Sequence, residues 1–424
     1  MSRRNIGMLG LVIAALFIVL TPIGGCAAIA PLTGKPDKVV IYHLGDLSGP
    51  YGAFTAPVVS SIEDFTEWFN TEGGGIDGVP IANMFRDTEG DLDTALEAYA
   101  ALKASRPYPI VDVIYDSAGC ETLRRLHRED GILCFTNCAS GDCIYPAGYT
   151  FSTIPSYPDS IGAFIDWVTE DWAKKTGQEV KLAILTWDNV FGRGVMVDAV
   201  RNYAAQKGVE IVYEGVFDID DMDVSTQMAA IKNAGANWVY DNTLAYGPKV
   251  VSEAAASLGM LNQDLYDTTP GMIHRACGPW GMDDLAVAQA GELAEGVIGA
   301  RSFASWSMPE VEGVAAAVAA FYKHDRKPEE RTLSYLAEWA ELYTVCYAMN
   351  KAVEEVGWDE LSGITLRDQF LNLEDFCPQG MTRYTFTARK PEPTQTLIFK
   401  VERGRLLPIT DWVTCPDLRP AAVK

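Results

Sequence analysis

The residue types that do most enzyme chemistry are sparse in this sequence and are not spaced as catalytic or metal-binding sets. The four histidines are His43, His127, His274 and His324, and they lie far apart without metal-ligand spacing. The sequence has no G-x-S-x-G turn, no P-loop and no H-E-x-x-H helix. Its Gly73–Gly75 run leads from a predicted helix to a predicted strand, which is the wrong order for a phosphate cradle. We therefore expect a protein that is not an enzyme and that binds no metal or cofactor.

Polar residues that could bind a ligand stand in the loops after the predicted strands. In open α/β sheets, ligands bind at this edge, where the loops meet helix N-termini with free N–H groups. The loops are residues 45–52, 116–119 and 136–140 in the first half of the chain, and 187–194, 241–243 and 267–271 in the second. Their hydroxyls, backbone amides and aromatic ring suit a small polar or carboxylated molecule with an apolar body. Candidate contacts from these loops include Ser48, Ala118, Asp241 and Thr269, although polar residues here are as often plain helix caps.

The overall composition limits the partners of the folded chain. The 424 residues include 34 Lys and Arg against 57 Asp and Glu, for a net charge of −23, and 48% are hydrophobic. The length predicts roughly two or three domains, each with a hydrophobic core. Because an acidic surface without a Lys/Arg stripe is repelled by phosphate groups, we expect no nucleic-acid partner and no contact of the folded part with anionic lipid.

The N-terminus has the pattern of an export signal. Arg3 and Arg4 precede an apolar run, Ile6–Leu20, that is short for a membrane-spanning helix of about 20 residues. The segment then reads Ile-Gly-Gly-Cys and ends at Cys26, which resembles a bacterial lipobox, where the cysteine takes a diacylglycerol before the signal is cut off. This resemblance implies a signal peptide over residues 1–25 and a lipid on Cys26. A plain anchor helix is the alternative.

A protein processed in this way lies outside the cytoplasm, in the periplasm or on the outer face of the cell membrane. It contacts the membrane through its N-terminal lipid only, because two acyl chains are enough for stable anchoring. Residues 26–37, with Pro31, Gly34 and Pro36, predict a flexible tether. Later segments are too short in uninterrupted apolar residues to span a bilayer, so we expect the remainder to be soluble.

The remaining cysteines could form disulfides. With Cys26 assigned to the lipid, eight are left, and an even number outside the cytoplasm permits pairing that spacing alone does not define. The candidate bridges join Cys138 to Cys143, or either of them to Cys120, and Cys377 to Cys415. A zinc site at Cys134, Cys138 and Cys143 is the alternative, but these ligands are loosely spaced and an oxidising compartment competes for their thiols.

Alternating strand-like and helix-like segments predict an α/β fold with parallel sheets covered by helices on both faces. The alternation runs over residues 38–154, restarts over 158–301, and includes a short strand at Leu265–Asp267. The last third instead has long helices over residues 309–375 and then strands over 376–424. We expect two doubly wound lobes joined by several crossovers, because the late helices would return to the first lobe and the late strands would complete the second.

Five short motifs occur in the order and spacing seen in the leucine/isoleucine/valine-binding proteins of bacterial ABC transporters. The motifs are Gly45–Phe54, Asp116–Ala118, Gly131–Ser140, Phe191–Gly194 and Glu295–Ile298. Over most of residues 38–410 the chain thus resembles that family. The resemblance implies the type I periplasmic-binding fold, with two α/β lobes joined by three crossovers, and closure around an amino acid that is passed to a membrane permease.

The resemblance also implies roles for individual residues. The carboxylate of the ligand would meet Ser117 and Ser140, together with the backbone at Cys138 and Ala139. The aromatic positions of the cleft would hold Phe54 and Phe191.

Two positions depart from the family's pattern. Amino-acid binders usually place an acid in the second-lobe loop that here reads Thr268–Met272, to pair with the ammonium group of the ligand, and this loop has no acid. Asp241 or Asp267 would have to take its place. Cys138 is also unusual in the pocket loop, so a carboxylic acid, an amide or an aromatic acid competes with an α-amino acid as the ligand.

These observations together predict a monomeric, lipid-anchored solute-binding protein. It would capture a small amino acid or a related carboxylate or amide between its lobes and hand it to the permease and ATPase subunits of an ABC importer. A sensor lobe on the same fold, which reports an amide or an aromatic acid to a membrane receptor, is the main alternative. A secreted enzyme is the third, and it lacks a recognisable nucleophile and base.

Overall fold

The structure, a computed structural model, describes residues 34–244 and 246–423. The predicted signal over residues 1–25 lies outside this part of the chain, as do Cys26 and most of the predicted tether. Within the described ranges, no helix is long and apolar enough to cross a membrane.

The first sheet has five parallel strands in the order β2-β1-β3-β4-β5. Its strands are β1 Val39–Gly45, β2 Ile81–Asp87, β3 Val111–Ile114, β4 Leu133–Thr136 and β5 Thr150–Ser152. The helices that alternate with them are α1 Gly52–Thr71, α2 Leu92–Lys103, α3 Ser117–Asp130 and α4 Gly141–Ile144. The central strands β3 and β4 are buried along their whole length, as expected where helices cover both faces of a parallel sheet.

The second sheet is mixed. Its strands are β6 Lys181–Trp187, β7 Glu210–Phe217, β8 Trp238–Asp241, β9 His274–Cys277, β10 Ile298–Arg301, β11 Gln395–Glu402, β12 Arg405–Pro408 and β13 Val413–Thr414. The order is β12-β11-β10-β9-β8-β6-β7, with β13 beside β11. Strands β6 to β10 are parallel, whereas β11 runs antiparallel to β10 and to β12. The late strands thus complete the second sheet as predicted, and they do so as an antiparallel edge, because a strand hairpin needs no crossover helix.

Two further groups of helices complete the fold. The helices alternating with β6 to β10 are α5 Tyr157–Trp167, α6 Lys174–Thr176, α7 Val190–Arg193, α8 Asp198–Gln206, α9 Ser225–Asn233, α10 Gly247–Ser257 and α11 Asp284–Ala290, with a π-helical segment Val168–Ala173 between α5 and α6. The late helices are α12 Glu312–Lys323, α13 Leu333–Val356 and α14 Gly363–Leu371.

The late helices return to the first sheet. Helices α12 and α13 pack on α1, where the ring of Phe65 meets that of Trp339 edge to face at a centroid distance of 5.2 Å. We name β1–β5, α1–α4 and α12–α14 the first lobe, and β6–β13 with α5–α11 the second lobe. The chain passes between them after β5, after β10 and between α14 and β11.

One strand of the second lobe differs from its predicted position. The predicted strand Leu265–Asp267 does not form, and the strand is His274–Cys277 instead. Its residues are buried although two of them are polar, because each finds partners. The Arg275 guanidinium donates to the Ser252 hydroxyl at 2.7 Å and to the carbonyls of Leu293 and Glu295. A search for apolar runs therefore misses this strand.

Candidate functional site

A cavity with about 550 Å³ of empty space, part of it open to solvent, lies between the carboxyl edges of the two sheets. Six aromatic residues line it: Tyr51, Phe54, Tyr115, Tyr157, Phe191 and Trp280. The other lining residues are Thr55, Val58, Asp116, Ser117, Asn137, Cys138, Leu244 and Ser334. The mixture of aromatic walls with a few polar groups is typical of a small-molecule site.

The loop after β3 places an acid and a hydroxyl at the cavity. Asp116 has extended backbone and caps α3, because its carboxylate accepts the Gly119 N–H at 3.0 Å. A Cβ at position 119 would lie 2.2 Å from that carboxylate, so the cap requires glycine there. Burial raises the pKa of Asp116, while the N–H groups of Gly119 and Ala118 act against this shift. Ser117, the first helical residue, lines the cavity beside it.

The loop after β4 contributes Asn137 and Cys138, but Ala139 and Ser140 do not line the cavity. Ala139 uses its carbonyl to accept the N–H of Tyr157 at 2.9 Å. Ser140 caps the short helix α4, and its hydroxyl donates to the Glu121 carboxylate at 2.5 Å. Ala118 and Ser140 were predicted to contact the ligand, but they do not line the cavity.

Aromatic rings cross the cleft. The Phe54 ring of the first lobe lies 5.6 Å from the Tyr246 ring and 6.0 Å from the Trp187 ring, both in the second lobe. The Tyr157 ring, just past the first interlobe connection, meets the Phe191 ring at 5.2 Å in an edge-to-face contact. The structure thus places Phe54 and Phe191 in the wall of the cavity. Tyr157 could not be found by reading the loops after strands, because it enters from the connection.

The second-lobe loop that reaches the cavity is not the one predicted. Residues 267–271 precede β9, so they lie at the opposite, amino edge of the sheet, where Thr269 lines a separate groove with Lys181 and His274. There Thr269 donates through its N–H and its hydroxyl to the Asp267 carboxylate, at 2.9 and 2.7 Å. The loop that follows β9 supplies Trp280 instead. The predicted position of Thr269 is wrong because the strand was placed too early in the sequence.

Asp241 and Ser48 also lie away from the cavity lining. Asp241 is buried, and its carboxylate accepts the Thr243 hydroxyl at 2.6 Å and the Cys277 thiol at 3.2 Å. Burial raises the pKa of Asp241 to about 6, against the hydrogen bonds that lower it. Ser48 is exposed. Both predictions rested on loop position, and the structure gives these residues internal or surface roles.

A buried polar layer supports two of the lining residues from behind. The Tyr115 hydroxyl is 2.6 Å from His43 Nδ1, and Asn137 accepts the Thr153 hydroxyl at 2.7 Å. Burial lowers the pKa of His43 to about 4, so this ring is neutral at pH 7. Burial also raises the pKa of the neighbouring Glu338 to about 8. Because these groups are uncharged near neutrality, the layer fixes Tyr115 and Asn137 without adding a charge behind the cavity.

The eight cysteines of the described chain carry free thiols. Cys138 and Cys143 were predicted to form a disulfide, but each thiol instead donates to a backbone carbonyl. Cys143 Sγ lies 3.4 Å from the Ser117 carbonyl oxygen, and Cys138 Sγ lies 3.9 Å from that of Ile114. Cys377 is exposed whereas Cys415 is buried, so that predicted bridge is not formed either. In the same part of the chain, no group of three His, Cys, Asp or Glu side chains is arranged to hold a metal ion.

The chain is similar to one known protein family and to several solved structures. The family described as "Periplasmic binding protein" matches residues 38–400. Among solved structures, a branched-chain amino acid ABC transporter protein from Thermus thermophilus with bound valine is 20% identical, covers 91% of this chain and 98% of its own, and has a TM-score of 0.78. A fatty acid ABC transporter substrate-binding protein from Thermomonospora curvata is 17% identical over 91% and 95% of the two chains, with a TM-score of 0.74.

A third similar structure is a solute-binding protein of an ABC transporter from Rhodopseudomonas palustris BisB5, in complex with 3,4-dihydroxybenzoic acid. It is 15% identical, covers 91% of this chain and 100% of its own, and has a TM-score of 0.72. At these identities the structural likeness shows the fold alone. None of the curated proteins matches the chain significantly.

Proposed function

Because the chain belongs to the periplasmic binding protein family, we propose that it is the lipid-anchored receptor that supplies an ABC importer with a small organic solute. The family match makes it a solute-binding protein of the ABC-transporter type. The observation that carries the more specific proposal is the cavity between the lobes, which is lined by side chains from both of them.

Capture occurs by closure of the two lobes around the solute. One moving unit is residues 38–154 with 309–375, and the other is residues 158–301 with the strands β11–β13. The segment before β11 belongs with the first unit and not, as predicted, with the second, because the rings of Tyr384 and Phe386 pack on the Phe135 ring of β4. Two contacts across the cleft support this reading. Phe54 of the first lobe meets aromatic rings of the second, and the Asp283 carboxylate of the second lobe accepts the N–H of Leu333 in the first at 2.8 Å. Contacts of this kind favour the closed arrangement over the open one.

The solute belongs to the class of small amino acids and related carboxylates or amides. The aromatic walls and few polar groups of the cavity suit a small molecule with an apolar body and a polar end. Similar proteins hold valine or 3,4-dihydroxybenzoic acid, which are both small molecules with an apolar body and a polar end.

The receptor is held outside the cytoplasm by a lipid on Cys26 and acts as a monomer with the permease and ATPase subunits of the importer. The lipobox-like segment that ends at Cys26 supports this anchoring. In a membrane fraction of cells that express the full chain, the protein should sediment with the membranes. The Cys26→Ser variant should be found in the soluble extracytoplasmic fraction or retain its signal. A wild-type protein whose N-terminal peptide carries no acyl mass would contradict the anchor.

Solute binding is tested by calorimetry on the detergent-purified protein with amino acids, short-chain acids and amides. We expect saturable one-to-one binding of at least one compound. Trp280→Ala should weaken it at least about tenfold, which corresponds to about 1.4 kcal/mol. The matched control is Thr269→Ala, whose side chain lies at the opposite edge of the sheet and should leave the affinity unchanged. If no compound binds at millimolar concentration, the proposed function fails.

A further inference from the structure

Two fully buried acids lie behind the first-lobe wall of the cavity. Glu338 and Glu341, which we name the glutamate pair, stand about one turn apart on α13, and both are 0% exposed. Glu338 lies against the side chain of Tyr115 and Glu341 against that of Asn137, and both of these neighbours line the cavity. We propose that the glutamate pair positions this wall as two neutral acids, and that loss of a proton from the pair weakens solute binding. The inference rests on the proposed function, which places the solute in this cavity.

The hydrogen bonds beside Glu338 run in one direction. The Asn83 amide nitrogen donates to the Thr66 hydroxyl at 2.5 Å, so the Asn83 oxygen faces His43 Nε2, at 2.6 Å. Nε2 therefore carries the proton of the neutral ring, and Nδ1 accepts the Tyr115 hydroxyl at 2.6 Å. Because the hydroxyl proton of Tyr115 is committed to His43, Tyr115 offers Glu338 an acceptor and not a donor. Glu338 can use that acceptor only while it keeps its own proton.

The groups that face the glutamate pair offer no counter-charge. The titratable groups around it are His43 from β1, Tyr115 from β3 and Tyr384 from the segment before β11. His43 Nδ1 lies 3.9 Å from the Glu338 carboxyl, but this nitrogen carries no proton. Asp112, whose charge also acts on Tyr115, is paired with His127 at 2.9 Å. In the described chain, no Lys or Arg is among the groups that set the pKa of either acid.

Both acids are therefore neutral near pH 7. Among residues 34–244 and 246–423, no N–H or O–H donates to any of the four carboxyl oxygens with hydrogen-bond geometry. A fully buried carboxylate without a donor or a cation is strongly destabilising, so the proton is retained. Burial accordingly raises the pKa of both acids, and the charge of Glu338 raises that of Glu341 further.

Ionisation of the pair would change the wall that the solute meets. A charged Glu338 needs a donor, and it would take the Tyr115 hydroxyl away from His43, while a charged Glu341 would draw on the amide of Asn137. The negative charge would lie one side chain behind the solute, where the closed and filled cavity excludes the water that screens it in the open state. The solute-bound protein thus holds the proton more tightly than the free protein. The affinity should therefore fall as the pH rises through the range in which the free pair titrates.

Calorimetry at pH 7 and at pH 9.5 tests this dependence on the detergent-purified protein. The probes are benzoate, 3-methylbutanoate and 3-methylbutanamide, which do not titrate between these pH values. Wild type should bind at least one of them at pH 7, and at least about tenfold more weakly at pH 9.5. The double variant, Glu338→Gln with Glu341→Gln, keeps two neutral side chains of the same shape. Its affinity should be within about threefold of the wild-type value at pH 7 and should be the same at pH 9.5.

A second measurement and two further variants make the test specific. In urea unfolding, wild type should lose stability relative to the double variant as the pH rises from 5 to 8, because acids that stay protonated in the folded state lose their protons in the unfolded chain. Glu338→Gln alone should reduce the pH dependence of the affinity, and it serves if the double variant does not fold. Glu354→Gln is the matched control, because Glu354 is exposed on the same helix in a pair with Lys351. It should keep the wild-type pH dependence of the affinity.

The outcomes separate this inference from the proposed function. A wild-type affinity that is equal at both pH values overturns the inference and leaves a solute receptor. A double variant with the wild-type pH dependence of affinity also overturns it, since the pair would then be structural only. So does a double variant whose stability changes with pH as in wild type, since the acids would then be charged. If none of the three probes binds at pH 7, the inference fails, and if the wider panel of amino acids, acids and amides does not bind either, both fail.

Discussion

Replacing Asp283 with asparagine should reduce the dependence of folding stability on pH. The side chain of Asp283 is 5% exposed, and one carboxylate oxygen accepts both the Leu285 N–H at 3.1 Å and the Leu333 N–H at 2.8 Å. The first bond caps α11 in the second lobe, and the second reaches the first residue of α13 in the first lobe. Burial, and then the charge of Asp284, raise the pKa of Asp283 to about 7, against the two N–H donors and Arg301.

The size of the effect follows from the two protonation states. In the unfolded chain the carboxyl titrates near its ordinary value of 3.8, so between that pH and about 7 the folded protein binds a proton that the unfolded chain has lost. The contribution of this group to the free energy of unfolding therefore falls as the pH rises through this window. Its total is about 4 kcal/mol, from 1.36 kcal/mol for each pH unit. Above about pH 7 the contribution stays constant.

Asp283→Asn keeps an oxygen that can accept both N–H groups but does not titrate. Relative to wild type it should therefore be more stable at pH 8 than at pH 4.5 by about 3 kcal/mol, because part of the window lies below pH 4.5. Urea unfolding followed by circular dichroism at the two pH values measures this difference. Asp91→Asn is the control. Hydrogen bonds from Thr94 lower the pKa of Asp91, so this exposed cap changes the free energy of unfolding with pH in the opposite direction. An Asp283→Asn effect of equal size at both pH values would refute the reasoning.

Three other substitutions or reactions have defined outcomes. Phe54→Ala should weaken solute binding by about tenfold to a hundredfold in calorimetry, because the variant loses two aromatic contacts across the cleft of ~0.5–1.5 kcal/mol each. By contrast, Phe65→Ala in the core should lower the free energy of unfolding by about 3–5 kcal/mol. Lys390→Ala should destabilise the fold by about 3–5 kcal/mol in urea, since it leaves the buried Asp159 without its cationic partner at 2.6 Å. Lys174→Ala breaks only an exposed pair with Glu170 and should leave the urea midpoint unchanged. Among the cysteines of residues 34–423 in the native protein, Cys377 should react with maleimide first, because it is exposed and the others are buried. Mass spectrometry that finds Cys138 labelled first would contradict this placement.

Elements with strong periodicity could be predicted from the sequence. The strand and helix alternation predicted over residues 158–301 corresponds to β6–β10 with their helices, and the long helices predicted over residues 309–375 correspond to α12–α14. The family resemblance and the α/β fold class are confirmed by the match over residues 38–400 and by the similar structures. These features depend on burial of whole faces, which leaves a repeated pattern in the residue types.

The cavity was predictable only in part. Four of the predicted residues line the cavity. Cys138 lies in the loop after β4, and Phe54, Ser117 and Phe191 lie in the first turns of the helices that follow β1, β3 and β6. Trp280 was not predicted because it follows β9, and β9 itself was not predicted. Two of the four residues of β9 are polar, so its sequence lacks the apolar run of a buried strand. Other residues have roles that depend on partners distant in sequence, and these are Ser140 with Glu121, Asp241 with Cys277, and Tyr157 with Phe191. Such tertiary contacts leave no local pattern.

The most direct test of a solute receptor with its site between the lobes is native mass spectrometry of the protein purified from its own membranes. We expect a fraction of the wild-type protein to carry one bound small molecule, and the same mass to be retained by Thr269→Ala. Trp280→Ala should lose that molecule while its melting temperature shows that it is folded. A bound molecule that survives Trp280→Ala, or one that is lost only in Thr269→Ala, would place the site elsewhere and contradict the account.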